Sequence, residues 1–329
     1  MSNQMARDVG LFLVGFVLLT GGAEFLVRGA SRLAARLGVS SVVIGLTVVA
    51  FGTSLPELLV SLVANLSGQG DMAVGNIVGS NIANMGLILG IAAVMSPLYV
   101  DKGIVRREFP LLLAASLVFV ALAWNGQLGL VEGIILAVGL VWFIYTSYTA
   151  SRTSARKIVE GRGDMQIAAA IDEAIGRPST NPWMDAGLVL AGLVGLILGA
   201  NWLVTAAESL ARAFGVSELI IGLTLVAVGT SLPELATTVV AVRRHEADLA
   251  VGNVVGSNLF NMLFIGGLGA LIRPLTVHPR VLVQDFPVMV GITLAAFLMT
   301  LAPPFRLERW QGAVLLVAYL AYSVWLFVG

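Results

Sequence analysis

The sequence predicts an all-α integral membrane protein, with ten transmembrane helices built as two inverted five-helix repeats. Composition is the first reason. Of 329 residues, 58% are hydrophobic, 37 are glycine and only 12% are charged. That is about half the roughly 25% charge of a soluble domain, so lipid has to cover what polar groups cannot. Apolar spacing is the second reason. Runs near 9–29, 40–66, 72–95, 107–124, 128–149, 185–206, 217–242, 249–271, 281–302 and 310–328 each approach the roughly 20 residues that a helix rising 1.5 Å per residue needs to cross a bilayer. Repetition is the third. A shift of 177 residues aligns Gly45–Gly90 with Gly222–Gly267 without a gap, at 27 identities in 46 positions. Weaker matches extend from Gly22-Ala23 against Gly199-Ala200 to Phe109-Pro110 against Phe286-Pro287. Two successive copies of an odd number of spans enter the bilayer from opposite sides.

In chain order, Met1–Gly10 leads into the first run without a small-residue cleavage site, so the first span is retained rather than removed as a signal peptide. The first repeat covers 1–149 and the second 183–329. Between them, 150–182 carries Arg152, Arg156, Lys157, Glu160, Arg162, Asp164, Asp172, Glu173 and Arg177 and reads as a solvated linker, within which Ile158–Ile175 has the spacing of a short interfacial helix. Asp71, Asp101 and Asp248 fall near helix starts, where an acidic side chain suits the helix dipole. Glu108 and Asp285, each before Phe-Pro, also read as helix starts. Glu24 stands beside Arg28, where a local ion pair accounts for it. Glu132, Asp185 and Glu208 read as isolated acids near helix ends, and His245 and His278 as loop residues.

Charge excludes several functions. Nineteen basic residues balance nineteen acidic ones, which gives no pull on nucleic acid. The chain has no cysteine and two histidines, too few for a thiolate or zinc centre. Under ten spans, Arg7, Arg212, Arg273 and Arg280 lie on the side of the termini and the other fifteen Lys and Arg lie opposite. The positive-inside rule then makes the linker cytoplasmic and places both termini outside.

The chemistry sits in two copies of one motif. Gly52-Thr53-Ser54-Leu55-Pro56-Glu57 interrupts the second run and Gly229-Thr230-Ser231-Leu232-Pro233-Glu234 the seventh, which puts a carboxylate at mid-membrane in each half. Such a group costs about 3 kcal/mol even on the lenient insertion scales, so a bound cation is the natural compensation. Proline lacks an N–H, which frees the carbonyls of Gly52 and Gly229, and the hydroxyls of Thr53, Ser54, Thr230 and Ser231 lie one turn before the acids. Hard oxygen donors of this kind suit Na⁺ and Ca²⁺. In the third and eighth runs, Asn76, Ser80 and Asn84, and Asn253, Ser257 and Asn261, recur at i, i+4, i+8 along one helix face. Gly75 with Gly79, and Gly252 with Gly256, form GxxxG pairs that permit close helix approach. Asn76 and Asn253 also suit plain interhelical hydrogen bonds, while Asn81 and Asn258 point elsewhere and read as structural.

With these residues in view, the chain resembles the sodium/calcium exchanger family of the calcium/cation antiporter superfamily, in its short prokaryotic type. The resemblance rests on GTSLPE followed by GNIVGSNIAN in one half and GTSLPE followed by GNVVGSNLFN in the other, and it spans nearly the whole chain. It implies a secondary antiporter in a prokaryotic cytoplasmic membrane that exchanges Na⁺ for Ca²⁺, with no cofactor. Glu57 and Glu234 would be the central Ca²⁺ ligands, helped by the backbone oxygens of Thr53 and Thr230. Sodium sites would use Ala50, Thr53, Ser54, Ser80 and Glu57 in one half and Ala227, Thr230, Ser231, Ser257 and Glu234 in the other. Asn84 and Asn261 would complete the centre. Plasma-membrane-type exchangers commonly have Asp where this chain has Asn261, so two carboxylates stand here in place of three. The first and sixth helices would slide against a rigid core.

Alternatives remain open at the level of sequence. The counter-ion is H⁺, or K⁺ takes part, in two variants of the same antiporter. A cation channel also places polar rings at the midplane. An intramembrane hydrolase would need a base beside Ser54 or Ser231, and no His or Lys lies in any predicted span, so the chain does not read as an enzyme.

Overall fold

The computed structural model describes residues 2–37, 39–161, 182–214 and 229–328. The chain is helical almost throughout. It begins with α1, Ser2–Leu37, followed by α2, Ser41–Thr53, and α3, Leu55–Leu66, which meet at a bend of 45°. Next come α4, Gly70–Met95, α5, Phe109–Ala123, and α6, Leu130–Gly161. The second half contains α7, Pro182–Ala213, α8, Leu232–Arg243, α9, Ala247–Ile272, and α10, Val281–Thr300, and ends with α11, Arg309–Val328. Six of these helices are long and apolar enough to cross a membrane, seven if α2 and α3 make one span.

The irregularities recur as faithfully as the sequence does. Helix α3 returns as α8, and Phe109–Ala123 as Phe286–Thr300, each shifted by 177 residues. The π-helical turn Ile104–Glu108 returns at Val281–Asp285 with the same shift. A second π-helical turn opens at Asn84–Ile88 in α4 and at Phe260–Gly266 in α9. Proline sets the bend. Pro56 and Pro233 sit in the first turn of α3 and α8, where a missing N–H is tolerated, and ahead of Pro56 helix α2 loses a donor and stops. Ser54 and Ser231 occupy the break with nearly identical backbones, φ −82° ψ 7° and φ −88° ψ 8°.

Helices α4 and α9 form the core, each 78% buried, against 28% for α1 and α7. Gly252 and Gly256 let α9 ride directly on α2: a Cβ on Gly256 would lie 2.6 Å from the Leu46 carbonyl oxygen. Two short antiparallel pairings tie the halves at the bundle ends, Leu98–Tyr99 with Arg306–Leu307 and Gln127–Leu128 with Leu275–Thr276. Gly68 takes the left-handed φ of +83° that turns α3 into α4.

Outside this core, α1 and α7 pack on each other along glycine stripes. A Cβ on Gly22 would sit 2.6 Å from the Leu196 nitrogen, and one on Gly199 would sit 2.4 Å from the Leu19 nitrogen. Lipid tails are as apolar as Leu, so helices join in a membrane through such close van der Waals fit. Both ends are fastened. Arg36 pairs with the fully buried Asp185 at 3.0 Å, and Ser209 donates to Asp8 at 2.6 Å.

Several sequence expectations meet the structure here. Asp101 accepts the Gly103 amide at 2.6 Å, as a turn-closing acid does. Asp285 and Glu108 stand at helix starts without capping them; Asp285 accepts a hydrogen bond from the Tyr322 hydroxyl, and Glu108 ion-pairs with Arg107. Asp185 is not isolated, because it takes Arg36 across the α1–α7 seam. Glu24 holds Arg28 as expected and also Arg244, from the turn after α8. Helix α6 continues past Thr149 to Gly161. The rest of the linker, with most of the interfacial segment Ile158–Ile175, lies outside the described residues, as does 217–228 of the seventh run.

Candidate cation-binding site

The two bends bring their acids to one place. Glu57 and Glu234 are each 1% exposed and close enough to interact electrostatically. Their hydrogen bonds cross between halves: the Ser54 hydroxyl donates to Glu234 Oε1 at 3.1 Å, and the Ser231 hydroxyl to Glu57 Oε1 at 3.1 Å. The resemblance grouped each acid with the hydroxyls of its own half. Instead, each serine at a break faces the other bend, because its own glutamate lies three residues ahead on the next turn and points across the seam.

Helices α4 and α9 hold the backs of these bends. Asn76 Nδ2 donates to the Glu57 carbonyl at 3.2 Å and to Ser61 at 2.9 Å; Asn253 Nδ2 donates to the Glu234 carbonyl at 3.4 Å and to Thr238 at 3.2 Å. These two amides therefore join helices, and Thr53 adds its hydroxyl to Asn253 Oδ1 at 3.2 Å. Two turns on, Asn84 Nδ2 donates to Asn258 Oδ1 at 2.9 Å and Asn261 Nδ2 to Asn81 Oδ1 at 3.1 Å. Asn81 and Asn258, read from sequence as structural, are the partners that orient Asn84 and Asn261.

What these bonds leave over defines the chemistry. Glu57 Oε2, Glu234 Oε2, Asn84 Oδ1 and Asn261 Oδ1 are buried without a hydrogen-bond partner, as are Thr230 Oγ1 and Ser257 Oγ. Asn84 Nδ2 and Asn261 Nδ2 each donate to a protein oxygen, and every atom left over is an oxygen. A buried unpaired acceptor costs about 1–3 kcal/mol, and more when charged. The carboxylates of Glu57 and Glu234, with the Thr230 and Ser257 hydroxyls beside them, form a buried cage of oxygens. Among the described residues no three His, Cys, Asp or Glu gather around one point, so two formal charges and several neutral dipoles are what an ion would meet. Of the remaining expected ligands, Ala50 has its carbonyl engaged by the Ser54 amide at 3.0 Å. Ser80 is 5% exposed and lines a side cavity between α4, α10 and α11, and Ala227 lies outside the described residues.

The sixth predicted span closes over this point. The Leu193 side chain of α7 covers Gly52 so tightly that a Cβ there would sit 2.3 Å from Leu193 Cδ2, and Val204 covers Gly229 at 2.7 Å. Sequence reading missed both lids, because an apolar residue in an apolar helix carries no signal of what it faces.

The fold is that of a polytopic membrane protein with two buried carboxylates facing each other at its centre. A family model described as sodium/calcium exchanger protein matches residues 8–149 and 184–328, and the chain belongs to that family. It is 38% identical over 326 residues to the inner membrane protein YrbG of Escherichia coli, covering 98% of both chains. It is 34% identical to the sodium/calcium exchanger MaX1 of Methanosarcina acetivorans, covering 96% of this chain and 97% of that one. Among solved structures it superposes on the sodium-calcium exchanger NCX_Mj, soaked with 2.5 mM Na⁺ and 0.1 mM Ca²⁺, with a TM-score of 0.80 at 30% identity over 96% of this chain and 97% of that one.

Proposed function

We propose that the chain is a secondary active antiporter exchanging Na⁺ for Ca²⁺ across the membrane by alternating access at the cage of Glu57 and Glu234. The observation that carries this reading is the set of four orphaned oxygens, Glu57 Oε2, Glu234 Oε2, Asn84 Oδ1 and Asn261 Oδ1, at the crossing of two symmetric bends. Two carboxylates neutralise one Ca²⁺ or two Na⁺, and the shared oxygens serve one ion set at a time. Exchange follows from that exclusion, and an empty, doubly negative site resists being carried through lipid-depth protein. In this reading the chain makes ten spans in two inverted five-helix repeats, 1–149 and 183–329, joined by a cytoplasmic linker, with both termini outside. The glycine-packed α1–α7 pair is the moving element, and the lids Leu193 and Val204 ride with it past the cage.

The test is flux in proteoliposomes. An outward Na⁺ gradient drives ⁴⁵Ca²⁺ uptake into wild-type vesicles, and Glu57→Gln or Glu234→Gln abolishes it. Normal transport by both variants would overturn the site. Uptake driven by a pH gradient in Na⁺-free medium would replace Na⁺ by H⁺, and flux indifferent to any counter-ion gradient would make the protein a channel.

A further inference from the structure

The turn that leads into α11 differs from its counterpart at the other end of the molecule in one side chain. In the first half, the short strand Gln127–Leu128 follows Gly126, which takes a φ of +88° and whose carbonyl accepts the Val277 amide at 2.9 Å. In the second half, the strand Arg306–Leu307 follows Phe305, whose carbonyl accepts the Val100 amide at 2.8 Å. Phe305 holds the same left-handed backbone, at a φ of 57°. A residue with a Cβ enters that region at a cost, so the ring has to be compensated by what it touches.

What it touches is charge. Lys102 Nζ and the Arg106 guanidinium carbon each lie 5.9 Å from the centre of the Phe305 ring, within the range in which an aromatic face attracts a cation. Arg309, in the first turn of α11, is exposed and donates to the Met95 carbonyl at the end of α4 at 3.4 Å, and Trp310 beside it is 64% exposed. The acids of this end are engaged elsewhere: Glu108 pairs with Arg107, Glu308 with Arg306, and Asp101 accepts the Gly103 amide. Lys102, Arg106 and Arg309 pair with no carboxylate among the described residues. When the two halves are aligned by their π-helical turns and short strands, the matching positions are Pro279, Val283 and Leu130, with Val131 for Trp310. None of these is charged. The positive-inside bias accounts for cations at the end of the bundle that carries the linker, but it asks for charge alone and not for a strained ring under two of them.

We propose that Lys102, Arg106 and Arg309 bind the phosphate of an anionic phospholipid, with the Phe305 ring beneath the cations and Trp310 at the level of the glycerol backbone. The π-helical turn before α5 and the first turn of α11 lie at one end of the helix bundle, at headgroup depth, where a phosphodiester meets arginine and lysine without leaving the membrane surface. Tryptophan suits that depth, since its ring is apolar and its N–H is not. The ring holds the two cations from one side and leaves their other sides to the anion. This site is separate from the cage and does not rest on which ions are exchanged.

The experiment is native mass spectrometry of the full chain in detergent micelles to which phosphatidylglycerol and phosphatidylcholine are added in equal amounts. The wild type retains phosphatidylglycerol in preference. Lys102→Gln, Arg106→Gln and Arg309→Gln each weaken that binding about fivefold, the ratio given by roughly 1 kcal/mol per basic side chain, and Lys102→Arg keeps it. Phe305→Leu, which retains the charges and an apolar side chain, weakens it about threefold, within the ratio that an exposed cation–π contact of roughly 0.5–1 kcal/mol gives. Arg243→Gln, at the exposed last residue of α8 and the same end of the bundle, leaves it unchanged. Equal retention of the two lipids by the wild type, full binding by the three charge variants, an equal loss in Arg243→Gln, or a loss that follows a lowered melting temperature in lipid-free detergent would each overturn the proposal. Displacement of the lipid by millimolar inorganic phosphate would overturn it as well, by making the site one for free anions.

Discussion

Ser54 and Glu234 lie 180 residues apart in sequence and are joined by a hydrogen bond of 3.1 Å across the centre of the molecule. The bond fixes one oxygen of the carboxylate and thereby aims the other. Removing such a donor to a charged group costs about 1.4 kcal/mol or more, so Ser54→Ala is expected to weaken apparent Na⁺ affinity about tenfold. Ser231→Ala acts equally on Glu57. Titration of Na⁺-dependent ⁴⁵Ca²⁺ uptake checks both; affinities like the wild type's in the two variants would mean that the carboxylates are held by something else.

The asparagine crossing makes a prediction about residues that touch no ion. Asn258→Leu leaves the buried Asn84 Nδ2 without its acceptor, at a cost of about 1–3 kcal/mol, and frees Asn84 to rotate its oxygen out of the cage. Asn81→Leu does the same to Asn261. Each is expected to lower thermal stability in detergent and to blunt the stabilisation conferred by added Ca²⁺. A melting curve with full Ca²⁺ stabilisation would show that Asn84 and Asn261 keep their aim unaided.

A latch joins the α1–α7 pair to the core. Arg244 Nε binds Glu24 at 2.8 Å, and the Ser31 hydroxyl donates to Glu246 at 3.1 Å. Burial pushes the Glu246 carboxyl up, against the opposing pull of Ser31 and Arg244, and Asp248 stands close by with the same sign of charge. A raised value means that this arrangement favours the protonated acid: the latch is strongest below the ordinary glutamate range and weakens as pH climbs through the raised value. Paired spin labels at Thr20 and His278, introduced as the only cysteines in a chain that has none, report it. The present distance should lose population as pH rises from 5 to 8, and in Arg244→Ala. Identical distributions under all these conditions would leave the latch without weight.

The glycine seam predicts a steep cost for one methyl group. Gly192→Ala would place Cβ 2.5 Å from the Leu26 nitrogen, backbone that has no rotamer with which to yield, so α1 and α7 must separate along their length. Gly21→Ala, one position from the seam and with no described atom within 4 Å, is the control, and gains up to about 1 kcal/mol of helix propensity. Size-exclusion and melting measurements should show Gly192→Ala destabilised and Gly21→Ala unharmed; equal behaviour would refute the seam.

Much of this molecule is written in local rules. The helix starts after Ser54 and Ser231 follow from Pro56 and Pro233, the burial of Glu57 and Glu234 from the apolar run around them, and the recurrence of α3 as α8 and of the π-helical turns from the 177-residue repeat. What sequence hides is relation between halves. Spacing shows that Ser54 and Glu57 share a helix region, but not that Ser54 serves Glu234, because that depends on how two bends cross. Asn81 and Asn258 looked idle for the same reason: a residue off the polar stripe of its own helix proves to be the partner of a stripe on another. The substitution of Phe260 for Ala83 is plain in the alignment of the copies, yet only packing against Phe143 and Phe51 turns it into a filled space.

The crossed serine–glutamate bonds also bear on how such a chain can be taken apart. A fragment ending before the linker would carry an acid without the hydroxyl that steadies it, and a hydroxyl with nothing to steady. Either fragment completes its centre only by docking on a second bundle, so the chain behaves as a dimer whose subunits happen to be covalently joined.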